Sequence, residues 1–294
     1  VNRRTKGILC IIASAFCFSL MNMFVRLAGD LPTPQKAFFR NAVALLFAIV
    51  ILVKSGEGFH IGKGNFKYLF LRSFAGTVGI FGNFYAVDHL AQSDASMLNK
   101  MSPFCVIVFS YFILKEKLTH WQVLAVVTAF VGSLFVIKPT FANLELIPSL
   151  LGLMRGIGAG FAYTQVRILG LRGVKSPTIV AFFSGFSCLA ALPFLIFDYH
   201  PMTVYQLLML FGAGLAAAGG QFGVTQAYTY AAGREVSVYD YTQIIFSTLI
   251  GFLVFDQLPD GWSFLGYALI IAAAVFIFLY NNGHLKLARP EDTL

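Results

Sequence analysis

The sequence predicts an all-α integral membrane protein of ten transmembrane helices. They form two inverted five-helix repeats, with the N and C termini cytoplasmic. Three observations carry this prediction. The 294 residues are 58% hydrophobic and only 12% charged, whereas a soluble domain carries about 25% charged residues. Ten apolar stretches approach the roughly 20 residues a helix needs to cross a bilayer core about 30 Å thick. The second half of the chain also repeats features of the first. Together these exclude a soluble enzyme, a disordered chain and a secreted disulfide scaffold.

The stretches run 7–28, 37–53, 67–88, 95–114, 120–137, 149–170, 177–197, 204–231, 235–255 and 262–281. Charges and helix breakers bound each one. Pro32 and Pro34 stand between the first two, and Lys54 to Lys67 separate the second from the third. Gln92 to Asp94, Lys115 to Lys117 and Lys138 to Pro148 make the next three breaks. In the second half the breaks are Arg172 to Pro177, Asp198 to Pro201, Gly233 to Glu235 and Asp256 to Gly261. The first span ends in Asn22 and Arg26 rather than a small-residue cleavage site, so it is expected to stay as a helix. Trp121 and Trp262 open spans five and ten as interface anchors. Cys10, Cys17, Cys105 and Cys188 sit in apolar stretches without CxxC spacing and read as small buried hydrophobes.

The net charge of +8 is a topology signal. With the N-terminus inside, the inner segments hold Arg3, Arg4, Lys6, Lys54, Lys63, Lys67, Lys115, Lys117, Arg172, Lys175, Arg234, Lys286 and Arg289. The outer segments hold Lys36 and Lys138. That bias places both termini in the cytoplasm. It argues against nucleic acid as a partner, because a binding surface needs its cations on one soluble face. The expected partners are the lipid bilayer and a small-molecule substrate; a homodimer is compatible with the pattern.

The repeat divides the chain into 1–140 and 141–294. "LKEKLTHW" (Leu114 to Trp121) resembles "FDQLPDGW" (Phe255 to Trp262), and an offset of 140 matches Glu116 with Asp256. "VRLAG" from Val25 matches "VRILG" from Val166, and "AFF" at Ala37 matches "AFF" at Ala181. Five spans per repeat is an odd number, so the second repeat enters the membrane inverted. Inverted repeats are a common way to build a secondary transporter, with a site near the midplane.

On these marks the chain resembles the EamA-like branch of the drug/metabolite transporter superfamily. The marks are the 5+5 plan, "AFFRN" opening span two, "FYAVDHLAQSDASMLNKMSP" (Phe84 to Pro103) and "EVSVYDYTQIIFSTLIGFLVFDQLPD" (Glu235 to Asp260). The resemblance implies an all-helical carrier with a central cavity between its halves. Family members move amino acids, nucleoside-like compounds, vitamins and other metabolites. It also implies an acidic residue after spans four and nine, here Glu116 and Asp256.

Ionisable groups at membrane depth are expensive and usually face a cavity or a partner. Arg26, Arg72 and Arg167 lie near span ends and are expected to snorkel. Lys100 and Asp240 are mates at the offset of 140, each about 7 Å into its span on the helix rise. As substrate anchors they suit a zwitterion, Lys100 taking a carboxylate and Asp240 an ammonium. Straight helices would hold them about 15 Å apart along the membrane normal, so two separate anchors are expected rather than a salt bridge. Arg155 is too deep to snorkel easily and is a candidate to bind an anionic group or to stabilise a broken helix, while Arg40, near the outer end of span two, is a candidate to face the cavity. Beside Arg155, Gly152, Gly156 and Gly160 make small-xxx-small steps, as Gly219 and Gly223 do in span eight, and read as close helix packing. Asn22, Asn99, Tyr163, Tyr239, Tyr241 and Gln243 complete the candidate substrate site. Tyr239 and Tyr241 flank Asp240, and residues two apart do not share a helix face, so at most one points with it.

Asp240 is the coupling candidate. No metal ligand set and no cofactor are expected. HExxH and GxSxG are absent, and "GEGFHIGKG" lacks phosphate-loop spacing. The sequence thus predicts a secondary-active or facilitative transporter in the plasma or inner membrane, working by alternating access, and not an enzyme. A membrane receptor or lipid-modifying protein without transport is the alternative.

Overall fold

The computed structural model describes residues 2–56, 59–89, 99–137, 146–256 and 259–285. Residues 95–98 of expected span four, the Gln92–Asp94 break, most of the Lys138–Pro148 break, and Lys286 and Arg289 lie outside them. Among the described residues the chain is all helix, without strands. The helices are α1 (Arg3–Leu27), α2 (Thr33–Lys54), α3 (Phe66–His89), α4 (Ser102–Leu114), α5 (His120–Ile137), α6 (Leu146–Leu171), α7 (Ser176–Phe197), α8 (Val204–Tyr230), α9 (Thr242–Phe255) and α10 (Gly261–Asn281). Among the described residues, seven helical stretches are long and apolar enough to cross a membrane. Large apolar side chains such as Val53, Leu189 and Phe197 stand exposed on the outside of the bundle. That is the surface lipid requires and water does not tolerate.

Local chemistry explains the helix starts. α2, α4 and α7 each carry proline in the first turn, where its missing N–H costs nothing. α8 opens on a capping box of Thr203 and Gln206, and the Asp260 side chain accepts from Ser263 N–H to start α10.

α4 and α9 depart from the spans expected of them. Lys100 and Met101 form a turn before α4. Pro103 favours that break, because a continuous helix would drive its ring toward the carbonyl of residue 99, although Pro193 is carried inside α7 without one. α9 is preceded by one helical turn, Gly233–Val236, and a 3₁₀ turn, Ser237–Tyr241. No proline or glycine in 237–241 marks this second break. Both helices end on a non-glycine residue in the left-handed region, Lys115 at φ 57° and Asp256 at φ 52°. The helix starts Ser102 and Thr242 keep the offset of 140, but the caps differ by 141, because α9 has 14 residues and α4 has 13. The backbone therefore pairs Asp256 with Lys115, not with Glu116 as the sequence match suggested.

α1 packs on α8 and α3 on α6; α4 packs on α6 and α9 on α1; α2 packs on α8 and α7 on α3; α2 meets α7 and α5 meets α10. Every one of these interfaces maps onto another, or onto itself, when helix numbers shift by five. Small residues permit the tightest approaches. A Cβ on Gly223 would lie 2.9 Å from the Cys10 carbonyl oxygen and 2.9 Å from Ser14 Cβ, and Ser14 Oγ donates to Gly220 O at 2.7 Å. α5 and α10 cross where Gly132 and Gly266 face each other's carbonyls.

The core is lopsided. One large apolar cluster joins Ile8 and Ile11 of α1, Val106 of α4, Val126 of α5, Val166 and Leu169 of α6, Tyr228 of α8, and Ile270 and Ile277 of α10. All belong to the half of the bundle that holds Arg4, Glu116, Arg167 and Glu235. Toward the other end the apolar clusters are small and separate, for example Met21 with Ala213 and Ala217, and Ala28 with Leu31 and Leu210.

Candidate functional site

The two breaks meet in the middle of the bundle. Lys100 Nζ donates to Gln243 Oε1 at 2.7 Å and lies 3.5 Å from both Asp240 Oδ2 and the Asp240 backbone oxygen. The expectation that Lys100 and Asp240 stand apart as separate anchors is corrected. It assumed straight helices, and the turn at Lys100 and the 3₁₀ turn at Asp240 bring the two residues together as a largely buried ion pair. Tyr241 Oη donates to the Lys100 carbonyl at 2.9 Å, satisfying a backbone group that the break leaves without a helical partner.

Around this pair lies a cavity of about 130 Å³, lined by Asn22, Arg40, Arg72, Asn99, Arg155, Tyr163, Phe183, Gln221 and Gln243 among others. Each arginine has a neutral partner. Arg155 Nε donates to Asn99 Oδ1 at 2.7 Å. Arg72 donates to Gln221 Oε1 at 3.0 Å, with its guanidinium 3.6 Å over the Phe183 ring. Arg40 reaches Met21 Sδ at 3.5 Å, and its Nε is buried without a hydrogen-bond partner. Tyr163 stacks on Tyr228 with ring centroids 5.0 Å apart. A second cavity of about 480 Å³ shares Asn22, Asn99, Lys100 and Gln243 with the first. It widens past Ser247 and Thr248 to Pro259, Asp260 and Ser263 at the start of α10 and to Ile137 at the end of α5. Among the described residues, this second cavity leads from the charged centre toward one end of the bundle, and the large apolar cluster fills the other.

Eight of the ten candidate residues line this centre: Asn22, Arg40, Asn99, Lys100, Arg155, Tyr163, Asp240 and Gln243. Tyr239 and Tyr241 do not. Both are buried in the apolar cluster, Tyr241 bonded to the Lys100 carbonyl and the Tyr239 hydroxyl without a hydrogen-bond partner. Arg72 was expected to snorkel but is only 2% exposed. The sequence signal for it was Gly76, one turn on. A Cβ there would meet Phe183 at 2.9 Å and Arg72 Nη1 at 3.2 Å, so the glycine leaves room for guanidinium and ring to stack. Arg167 also stays in the protein, its Nε 3.5 Å from Glu116 Oε1 and its Nη1 donating to Thr229 O. Arg26 is exposed near the open end, 4.2 Å over the Phe255 ring. Gly160 packs on α4 at Cys105, whereas Gly158, outside the predicted steps, lies against the Ala75 carbonyl of α3.

The sealed end has its own polar ties. Arg4 pairs with Glu235 at 2.7 Å, and Glu235 also accepts from Ala232 N–H. Burial pushes the Glu116 carboxyl above its ordinary pKa, while Arg167 and Arg234 pull it back down.

A helical bundle with an apolar jacket and a buried charged centre open at one end defines a multi-pass membrane transporter of small molecules. A solved crystal structure superposes on the chain with a TM-score of 0.85, covering 94% of this chain and 98% of that one, at 16% identity; it shares the fold. The family description "EamA-like transporter family" matches residues 5–138. The pseudopaline exporter CntI of Pseudomonas aeruginosa is 30% identical over 95% of this chain and 98% of its own length. The riboflavin transporter of Vibrio cholerae is 26% identical over 98% of this chain and 97% of its own length. Human solute carrier family 35 member G1 is 25% identical over 92% of this chain and 78% of its own. The chain belongs to the EamA-like transporter family, whose members are transporters and not enzymes.

Proposed function

We propose that the chain is a secondary-active or facilitative carrier that moves a small polar metabolite, amino-acid-like or another zwitterion, by alternating access. The supporting observation is the charged cavity at the breaks before α4 and α9, which among the described residues continues toward one end of the bundle and is backed by the large apolar cluster at the other. Binding at broken helices near the midplane is how many secondary transporters hold a substrate. Lys100 can take a carboxylate and Asp240 an ammonium. Their separation of 3.5 Å is longer than the about 2.7–2.9 Å of a tight charge-assisted hydrogen bond, so a zwitterion that takes up both groups has only a weak contact to replace. Asp240 is the group on which proton coupling would turn.

The interfaces that correspond under a shift of five helices support two inverted repeats, 1–140 and 141–294. Two such units can exchange packings, one open to each side. With the cation-rich loops inside, the sealed end faces the cytoplasm and the open cavity faces out of a plasma or inner membrane. The exporter relative favours the outward direction of transport.

The test is counterflow in proteoliposomes, using hits from a thermal-shift panel of amino acids, nucleosides and vitamins. Lys100→Met and Asp240→Asn are expected to insert normally and to abolish flux. Wild-type flux in both variants overturns the reading.

A further inference from the structure

Lys100 and Asp240 neutralise one another, and what remains in the cavity is a surplus of positive charge. Arg40, Arg72 and Arg155 all line it. They approach from α2, α3 and α6, and the partners described above are an asparagine, a glutamine and a thioether. Among the described residues, no carboxylate other than Asp240 lines the cavity. Arg40 and Arg155 line the same cavity from different helices. Buried charge without a counter-ion is strongly unfavourable. A site that gathers three such charges needs its counter-ions from elsewhere, and the molecule it binds is the available source.

We infer that the substrate is a small organic polyanion carrying two or more acidic groups, received by Arg40, Arg72 and Arg155. This rests on the transport reading above and narrows it: an amine is compatible with the Lys100–Asp240 end of the cavity, but the net charge of the substrate is negative. Guanidinium groups suit the role, since their planar fork binds carboxylate or phosphate oxygens through two parallel hydrogen bonds. The Arg72 fork is held by its stacking on Phe183 at 3.6 Å, which leaves less motion to freeze when an anion arrives. The wider cavity of about 480 Å³ gives such a molecule a path in.

The experiment measures thermal unfolding of the purified full chain in detergent at constant ionic strength. The probes are alanine, glutamate, glutarate, tricarballylate and glycerol 3-phosphate. Protection is expected to rise from alanine, the weakest, through glutamate and glutarate to tricarballylate. Glycerol 3-phosphate distinguishes the two acidic chemistries: equal protection by it assigns the site to anionic oxygens in general, and weaker protection assigns it to carboxylates. Arg40→Gln, Arg72→Gln and Arg155→Gln are each expected to weaken tricarballylate binding at least about tenfold, which is about 1.4 kcal/mol. Arg26→Gln, outside the cavity, is expected to leave it unchanged. The charge series on the wild-type chain decides the matter even where an arginine variant fails to fold. Protection by alanine equal to that by tricarballylate, or protection by no anion, overturns the inference. A chain that binds polyanions yet gives no counterflow overturns the transport reading instead.

Discussion

The two ends of the bundle are made of the same kinds of helix and are held together differently. At the sealed end the apolar cluster draws on helices from both halves, α8 lies against α1 through Gly223, and Arg4–Glu235 and Arg167–Glu116 tie the edges. At the open end the apolar contacts are small and separate, and polar side chains such as Ser247, Thr248 and Ser263 line space instead of packing. Stability is concentrated at one end and access at the other. A carrier that alternates must be able to dismantle the first arrangement and rebuild it at the second.

Adding bulk at each end tests this division most strongly. Gly223→Leu drives side-chain atoms into the Cys10 carbonyl and Ser14. Overpacking there costs about 1–3 kcal/mol or more, and a thermal melt should show a fall of at least several degrees. Thr248→Trp places comparable bulk in the vestibule, where Thr248 bonds only within its own helix, to Ile244 O. It should leave the melting temperature nearly unchanged and block counterflow. A large loss of stability from the second variant, or none from the first, would erase the distinction between the ends. Next in size is Asp260→Ala, which removes the cap at the start of α10 and should cost about 1 kcal/mol, read as a shift in the melting temperature.

Glu116 gives a pH test of the sealed end. Its carboxyl is pushed up mainly by burial, against the pull of Arg167 and Arg234. The native state therefore holds a proton more readily than the unfolded chain. The stabilising contribution of the protonated group is present at low pH and is lost as pH rises from the ordinary carboxylate value through the raised one. Melts of the wild type should fall across that window, and Glu116→Gln should flatten the slope. A steeper slope in the variant would contradict the assignment. The smallest effect is expected from Arg4→Ala. Its ion pair with Glu235 is part-exposed on the arginine side, and such pairs contribute about 0–1 kcal/mol.

The apolar jacket and the all-helical membrane architecture were legible in the sequence because lipid imposes them: about 20 apolar residues per crossing leave a strong pattern. Lys100, Asp240, Arg40 and Arg155 stood out for the same reason, as charges where charge is expensive. Their geometry was harder to read. Pro103 signals the break before α4, but nothing comparable marks Ser237–Tyr241, so two residues that straight helices would separate came to lie 3.5 Å apart. Arg72 was misread because distance from a span end says nothing about which way a side chain turns. Only Gly76 and Phe183, far apart in sequence, make room for it in the core. Tyr239 and Tyr241 bracket Asp240 in sequence, yet both serve the packing below the site. Side-chain direction in a broken helix depends on the local winding, which residue spacing alone does not specify.

The arginine surplus has an electrical consequence. Moving one elementary charge through a 100 mV membrane potential is worth about 2.3 kcal/mol. Under the alternating access proposed above, a cavity that keeps Arg40, Arg72 and Arg155 while it turns would carry part of that charge through the field. In a cell that is negative inside, voltage would then draw the empty cavity toward the cytoplasm and leave one filled with the proposed polyanion, nearly neutral, free to turn outward. The return of the empty carrier, rather than the outward step, would be where the membrane potential does work on this protein.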